Sequence, residues 1–160
     1  MQIGEVCTRE VVICTDDTGV IDAAKLMRTY HVGSLVIVEQ QNGRRVPVGV
    51  ITDRDLVLEV LALDVTPERL TVGDIRTAEL IAVPETEDVF DVLELMRRKG
   101  VRRMPVLDAR GALAGIVTLD DLLEILAEKL GSMVKLVSRA QLRERQSRPE
   151  PPPELAASHH

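Results

Sequence analysis

The chain states one pattern twice: Gly49-Val50-Ile51-Thr52-Asp53-Arg54-Asp55-Leu56 returns as Gly115-Ile116-Val117-Thr118-Leu119-Asp120-Asp121-Leu122. Repetition at such a spacing means that one supersecondary unit has been duplicated, and a unit of that size cannot bury its apolar face alone. Upstream of the repeated segment, Thr8 aligns with Thr77, Met27 with Met96 and Val32 with Val101 without a gap. The register slips only after the third apolar segment, because Glu39 to Val48 is longer than Asp108 to Ala114. The difference falls in a turn, where length changes are tolerated.

Each copy reads strand, helix, strand, strand, helix, an α/β (α+β) pattern. In the first, Val11-Val12-Ile13 is predicted as a short strand, and Val20, Ala24, Met27 and Tyr30 recur at helical spacing. Leu35 to Val38 and Val46 to Ile51 then read as two strands around Gln40-Gln41-Asn42-Gly43, where Asn-Gly favours a hairpin. A second helix carries Leu56, Val57, Val60 and Leu61, and Asp64-Val65-Thr66-Pro67 reads as a linker. The copy has Leu80-Ile81-Ala82, a helix with Val89, Leu93 and Met96 that stops at Gly100, a strand pair around Asp108-Ala109-Arg110-Gly111, and a helix with Leu122, Leu123 and Leu126.

The expected organisation is therefore a first repeat over 1–66 and a second over 67–131, packed with pseudo-two-fold symmetry. Residues 132–160 are expected to hold a further helix, begun by Met133, Val134, Leu136 and Val137, and a Pro-rich tail, disordered from about Arg148.

Composition excludes several functions. A formal charge of -6 works against phosphate-backbone binding, and Tyr30 and Phe90 alone make no stacking platform, so no nucleic-acid partner is expected. No apolar run approaches a membrane span, and Met1-Gln2-Ile3-Gly4-Glu5 lacks the features of a signal peptide, so no membrane partner and a cytoplasmic location are expected. Cys7 and Cys14 show no CxxC spacing and no partner histidines, and read as small apolar residues rather than redox or metal groups. His31 has no cysteine or serine elbow near it, so no nucleophile and base support catalysis, and His159 and His160 carry no assigned role.

The repeated motif is glycine, two apolar residues, threonine, two variable residues and aspartate, placed where a strand becomes a helix. There a helix N-terminus offers unpaired N–H groups and a positive dipole end to an anion. Glycine lets a ligand approach the backbone, threonine donates to a phosphate or ribose oxygen, and an ionised aspartate accepts both hydrogens of a ribose diol. The same residues also spell a capping box, although that motif prefers glutamate or glutamine last and does not demand the glycine. At the level of the motif both readings stand, and they are compatible.

With the duplication added, the chain resembles a tandem pair of cystathionine-β-synthase-type (CBS) domains, a Bateman module. The resemblance covers about residues 1 to 130. It rests on Val72-Gly73-Asp74-Ile75 with its echo Ile3-Gly4-Glu5-Val6, on Met96-Arg97-Arg98-Lys99-Gly100-Val101-Arg102-Arg103-Met104-Pro105-Val106, and on the paired Gly-x-x-Thr-x-x-Asp segments. It implies two clefts between the repeats, assembly into a flat homodimer, and regulatory binding of an adenosyl ligand, with AMP, ADP or ATP foremost and no required cofactor. It also implies ribose recognition by Asp55 and Asp121, phosphate or ribose contact by Thr52 and Thr118, and an adenine seat at Ile13 to Thr15 and at Ala82 to Pro84. The signal would pass in trans to an unidentified protein target or through the dimer.

The two clefts are not expected to be equivalent. Arg102 and Arg103 of the second repeat align with Gly33 and Ser34 of the first, and Asp53-Arg54 stands where the second copy has Leu119-Asp120. Arg54, Arg102 and Arg103 are therefore candidate phosphate ligands. The competing reading is a structural oligomerisation or docking module with empty clefts. A third is a sensor of S-adenosylmethionine, NAD or a magnesium–nucleotide complex, since an aspartate that reads ribose ignores what hangs from it.

Overall fold

Two three-stranded sheets carry the fold, one in each repeat. In the first, β1 (Ile13–Cys14) runs parallel to β2 (Ser34–Gln41), which pairs antiparallel with β3 (Arg44–Thr52). In the second, β4 (Val83–Pro84), β5 (Arg103–Leu107) and β6 (Leu113–Thr118) repeat that order and those directions. The helices are α1 (Val20–Tyr30), α2 (Asp53–Leu56), α3 (Val72–Ile75), α4 (Val89–Lys99) and α5 (Leu119–Ser147). This computed structural model describes residues 1–76 and 79–148, so the tail expected to be disordered lies almost wholly outside the described residues. The chain forms two compact units, one ending at Leu122 and one beginning at Leu123.

Within the first unit the duplication is closest in the helices that follow β1 and β4. Helix α1 buries Val20, Ala23 and Met27, and α4 buries the aligned Val89, Val92 and Met96. The inward stripe is thus rotated from the expected one: Ala24 and Tyr30 are exposed and Leu93 is half-buried. Both helices end on a left-handed residue, Gly100 at φ 66° and its counterpart His31 at φ 53°, where histidine accepts a conformation that glycine adopts without a Cβ penalty. The Asn42-Gly43 hairpin has both central residues at positive φ (51° and 76°), the type I′ geometry that matches strand twist. The shorter hairpin of the second repeat is closed by the Asp108 carboxylate, which accepts the N–H groups of Arg110 at 2.8 Å and Ala112 at 2.9 Å. After α2 the backbone widens into a π-helical turn, Val57–Leu61, which buries only Val60 of the expected apolar set.

The repeats exchange their leading segments. Val72 and Gly73 of the second donate to the Thr18 and Asp16 carbonyls of the first, at 2.8 and 2.9 Å. Ile3 and Gly4 of the first donate to Glu87 and Glu85 of the second, at 2.7 and 2.8 Å. Thr8 then exchanges both backbone hydrogen bonds with Ile116, each 2.9 Å, and so adds a strand-like residue beside β6. Val72 belongs to the apolar core of the first repeat, with Met27, Leu35, Ile37 and Ile51. Arg76, at the end of the exchanged α3, pairs with Asp16 at 2.7 Å and donates to the Val48 carbonyl at 3.0 Å. Each half therefore completes the other, and the pair is the folding unit.

The second unit, from Leu123, is the body of α5. A separate helix beyond Gly131 was expected, but α5 runs through that glycine as one helix of 29 residues. A helix-interior glycine costs about 1 kcal/mol relative to alanine, too little to divide a segment otherwise rich in leucine, lysine, glutamate and arginine.

Candidate ligand-binding clefts

Both motif copies form capping boxes. Asp55 N–H donates to Thr52 Oγ1 at 3.2 Å while Thr52 N–H donates to Asp55 Oδ2 at 2.8 Å. Thr118 and Asp121 reproduce this, both bonds at 3.2 Å. The box leaves one carboxylate oxygen of each aspartate and the hydroxyl proton of each threonine for another partner. Capping and ligand contact therefore coexist in one geometry.

Two of the roles expected of the motif change. The first turn of α2 offers no free backbone donors, because Asp53 N–H goes to the Gly33 carbonyl at 3.0 Å, Arg54 N–H to Asp53 Oδ1 at 2.8 Å and Asp55 N–H to Thr52. An anion at this cleft must find side chains instead. The motif glycines serve the exchanged segments rather than a ligand: a Cβ on Gly115 would sit 2.7 Å from Cys7 Sγ and 2.8 Å from the Thr8 carbonyl oxygen, and one on Gly49 would lie 3.4 Å from Arg76 Nη1.

Each cleft is built across the repeats. The first, of about 440 Å³, joins Thr52, Arg54 and Asp55 to Leu80 and Ile81, with Arg102 and Arg103 on its rim. The second, of about 240 Å³, joins Thr118 and Asp121 to Val11 and Val12, with Val32 to Ser34 where the first has Val101 to Arg103. The apolar side chains that line the clefts lie just upstream of the expected adenine seats: Ala82 and Pro84 do not line the first cleft, nor Ile13 and Thr15 the second. Ile13 borders a separate, smaller hollow, and Thr15 is exposed in the turn before α1, where its N–H donates to Thr18 Oγ1 at 3.1 Å. The aligned triplets Glu10-Val11-Val12 and Glu79-Leu80-Ile81 were the available signal for these lining residues, since acid and apolar character match at every position.

The cations are distributed unequally, as the alignment implied. Arg54 and Arg102 line the first cleft, and Arg103 borders both. Arg102 makes a loose, exposed pair with Asp120 at 3.6 Å. Among the described residues Arg54 and Arg103 have no ion-pair partner. Gly33 leaves room for Arg103: a Cβ there would meet Asp53 Oδ2 at 3.3 Å and Arg103 Nη1 at 3.5 Å. The first cleft also holds Asp53, Asp55 and Glu79, and Glu79 is paired with Lys99 at 3.3 Å. The second sets Glu10 and Asp121 against Arg103 alone.

The cysteines stand apart from this chemistry. Burial and the nearby Asp16 carboxylate push the Cys14 thiol up to about 11, and burial also raises Cys7. Both stay protonated at pH 8, and only thiolates alkylate readily. Iodoacetamide at pH 8 should therefore leave Cys14 unlabelled in the folded protein and label it fully in urea, as read by mass spectrometry. Rapid labelling of Cys14 in the folded state would contradict its placement in the core.

A duplicated strand–helix–strand–strand–helix unit with exchanged leading segments and two inter-repeat clefts is the architecture of a tandem domain pair. The chain belongs to the CBS domain family, whose model matches residues 3–62 and again 72–128. An uncharacterized protein of Methanopyrus kandleri is 36% identical over 125 residues, covering 78% of this chain and 62% of the relative. The chain thus spans less than two-thirds of that relative's length. The uncharacterized protein YlbB of Bacillus subtilis is 34% identical over 145 residues, covering 89% of this chain and 95% of the relative. Among solved structures, the CBS domain pair of the protein MJ0100, in complex with methylthioadenosine and S-adenosyl-L-methionine, superposes with a TM-score of 0.70 at 24% identity, covering 81% of this chain and 98% of that one. That likeness establishes the fold. No helix of the described residues is long and apolar enough to cross a membrane.

Proposed function

We propose that the first unit is a regulatory module that binds an adenine nucleotide, AMP, ADP or ATP, and senses energy or metabolite state rather than turning a substrate over. The observation that carries this reading is the first cleft, where a capped aspartate with one free carboxylate oxygen, two apolar side chains and three arginines converge from both repeats. Asp55 would take the ribose diol, Leu80 and Ile81 the purine face, and Arg54, Arg102 and Arg103 the phosphates. Asp121 would hold ribose in the second cleft, where carboxylates outnumber cations and a ligand with less phosphate fits better. The ligands of the MJ0100 pair belong to that protein, so the reading rests on the residues of this chain.

Exposed Tyr30, Leu58, Leu61 and Phe90 support self-association of this unit as a homodimer. A nucleotide would then regulate a protein target in trans by binding one arrangement better than another.

Isothermal titration calorimetry against AMP, ADP, ATP, NAD and S-adenosylmethionine tests the assignment. Loss of a charged hydrogen-bond partner costs about 1.5–3 kcal/mol, so Asp55→Ala should weaken first-cleft binding by roughly ten- to a hundredfold, and Asp121→Ala the second. Because these aspartates also cap helices, Asp55→Asn and Asp121→Asn are the sharper variants: the amide oxygen can keep the cap but the side chain no longer accepts both diol hydrogens. Affinity unchanged in all four variants would remove the nucleotide reading, and silence across the panel from folded protein would favour the docking module.

A further inference from the structure

We propose that Arg76 and Arg9 are positioning residues, one for each cleft, that hold the apolar wall of a cleft against the motif aspartate it faces. The two arginines are not equivalent in sequence, since the repeat alignment sets Arg76 against Cys7 and Arg9 against Ala78. The fold nevertheless brings their guanidinium groups to equivalent places. Arg76 Nη1 donates to the Val48 carbonyl at 3.0 Å, and the fork pairs with Asp16 through Nε at 2.7 Å and Nη2 at 3.2 Å. Arg9 Nη1 donates to the Ala114 carbonyl at 3.1 Å and pairs with Glu85 at 3.3 Å, while its Nη2 donates to the Gly4 carbonyl. Val48 aligns with Ala114, and Asp16 with Glu85. Different positions of the two leading segments thus deliver the same contact, a cation joining a carbonyl and a carboxylate of the opposite repeat.

What this contact fixes is a cleft wall. Arg76 stands three residues before Glu79-Leu80-Ile81, which lines the first cleft with Thr52 and Asp55. Arg9 directly precedes Glu10-Val11-Val12, which lines the second with Thr118 and Asp121. The carbonyls they bind, Val48 and Ala114, belong to the residues just before the motif glycines, on the strands β3 and β6 that end in those threonines. Each arginine therefore ties the segment that supplies one wall to the strand that presents the facing aspartate. The ties differ in shelter: the Arg76 and Asp16 side chains are 24% and 33% exposed, those of Arg9 and Glu85 53% and 36%, so solvent screens the second more. The aligned side chains at 76 and 7 both run past a motif glycine, since a Cβ on Gly49 would lie 3.4 Å from Arg76 Nη1 and one on Gly115 2.7 Å from Cys7 Sγ. An arginine at position 7 would follow the course that Arg76 takes.

Hydrogen exchange of the full chain, read by mass spectrometry without ligand, tests the positioning itself; its consequence for affinity rests on the nucleotide reading of the clefts. Arg76→Met keeps an unbranched apolar stem and removes the fork, and should speed exchange over residues 79–83 about tenfold relative to residues 10–14. Arg9→Met should do the reverse by about threefold, its pair being the more exposed. Arg76→Lys, which keeps the charge without the fork, should show about half the logarithmic effect of Arg76→Met, and it serves if the methionine variant fails to fold. Adding Cys7→Arg to Arg9→Met should return residues 10–14 towards wild-type exchange. Calorimetry with ATP then follows the first cleft in an Asp121→Asn background and the second in an Asp55→Asn background. Affinity should fall in the first with Arg76→Met and in the second with Arg9→Met, each by about the factor seen in exchange. Exchange that rises equally in both segments, or in neither, would overturn the proposal and leave the arginines as general props of the fold. So would nucleotide affinities that ignore which arginine is missing. Exchange patterned as expected in a chain that binds no nucleotide would uphold the positioning and remove the nucleotide reading alone.

Discussion

Gly115→Ala should destabilise the first unit by about 2–3 kcal/mol, whereas Gly49→Ala, the same change at the same place in the other repeat, should cost less than about 1 kcal/mol. At Gly115 the new methyl would lie 2.8 Å from the Thr8 carbonyl oxygen, a backbone atom that also accepts the Ile116 N–H at 2.9 Å. It cannot be accommodated without breaking the pairing between β6 and the exchanged segment. At Gly49 the neighbours are Ile37 Cδ1 at 3.3 Å and Arg76 Nη1 at 3.4 Å, the ends of flexible side chains that can give way. Urea unfolding followed by circular dichroism measures both. The pair of variants also separates two roles for the glycine, because a residue kept for ligand approach would lose affinity at normal stability. Equal destabilisation by the two, or none by Gly115→Ala, would show that the exchanged segment does not press on β6 as described.

What was legible in the sequence was local. The Asn42-Gly43 turn, the left-handed stop at Gly100 and the Thr–Asp capping boxes are each specified by neighbours a few residues away, and the structure contains all of them. The rotation of the α1 stripe from Ala24 to Ala23 was not legible, because both are alanines at permitted helical spacings and only the sheet decides which faces it. The unbroken course of α5 was obscured by Gly131, a residue that marks a boundary in some contexts and is a modest local cost in others.

The clefts show the same division. Thr52, Asp55, Thr118 and Asp121 could be named from the repeat alone. Their partners could not, because an internal repeat reports which residues are equivalent and says nothing of which copy they face. The exchange of leading segments is what carries Leu80 and Ile81 to the Asp55 side, and its signals were small residues at close approaches: Gly4 against the Glu85 carbonyl, where a Cβ would stand at 2.8 Å, and Gly73 against that of Asp16, at 3.1 Å. The echo of Ile3-Gly4 in Val72-Gly73 is visible as family resemblance, but its physical reason lies in the contact each segment makes with the other repeat.

Arg103→Ser should remove most of the discrimination between ATP and adenosine at the first cleft while leaving adenosine binding unchanged. The substitution installs the residue that the first repeat carries at the aligned position, Ser34, and deletes the cation bordering both clefts. With the backbone donors of α2 already committed, affinity should rise from adenosine through AMP and ADP to ATP only through Arg54, Arg102 and Arg103. Of these, Arg103 is half-buried and without an ion-pair partner among the described residues, Arg54 is exposed, and Arg102 is exposed beside Asp120. A charged hydrogen bond is worth about 1.5–3 kcal/mol when sheltered and less when solvent screens it, so the variant should lose roughly tenfold in ATP affinity and Arg102→Ser only a few-fold. Calorimetry at two salt concentrations checks the mechanism, since the wild-type preference for ATP should shrink as salt rises and that of the variant should barely move. The single positive charge of one guanidinium also cannot fully compensate anions in both clefts. ATP in the first cleft should therefore leave the second with Glu10 and Asp121 uncompensated and weaken nucleotide binding there, a coupling that vanishes in Arg103→Ser. Undiminished coupling in that variant would place the communication elsewhere, and an undiminished preference for ATP would remove Arg103 from the phosphate site.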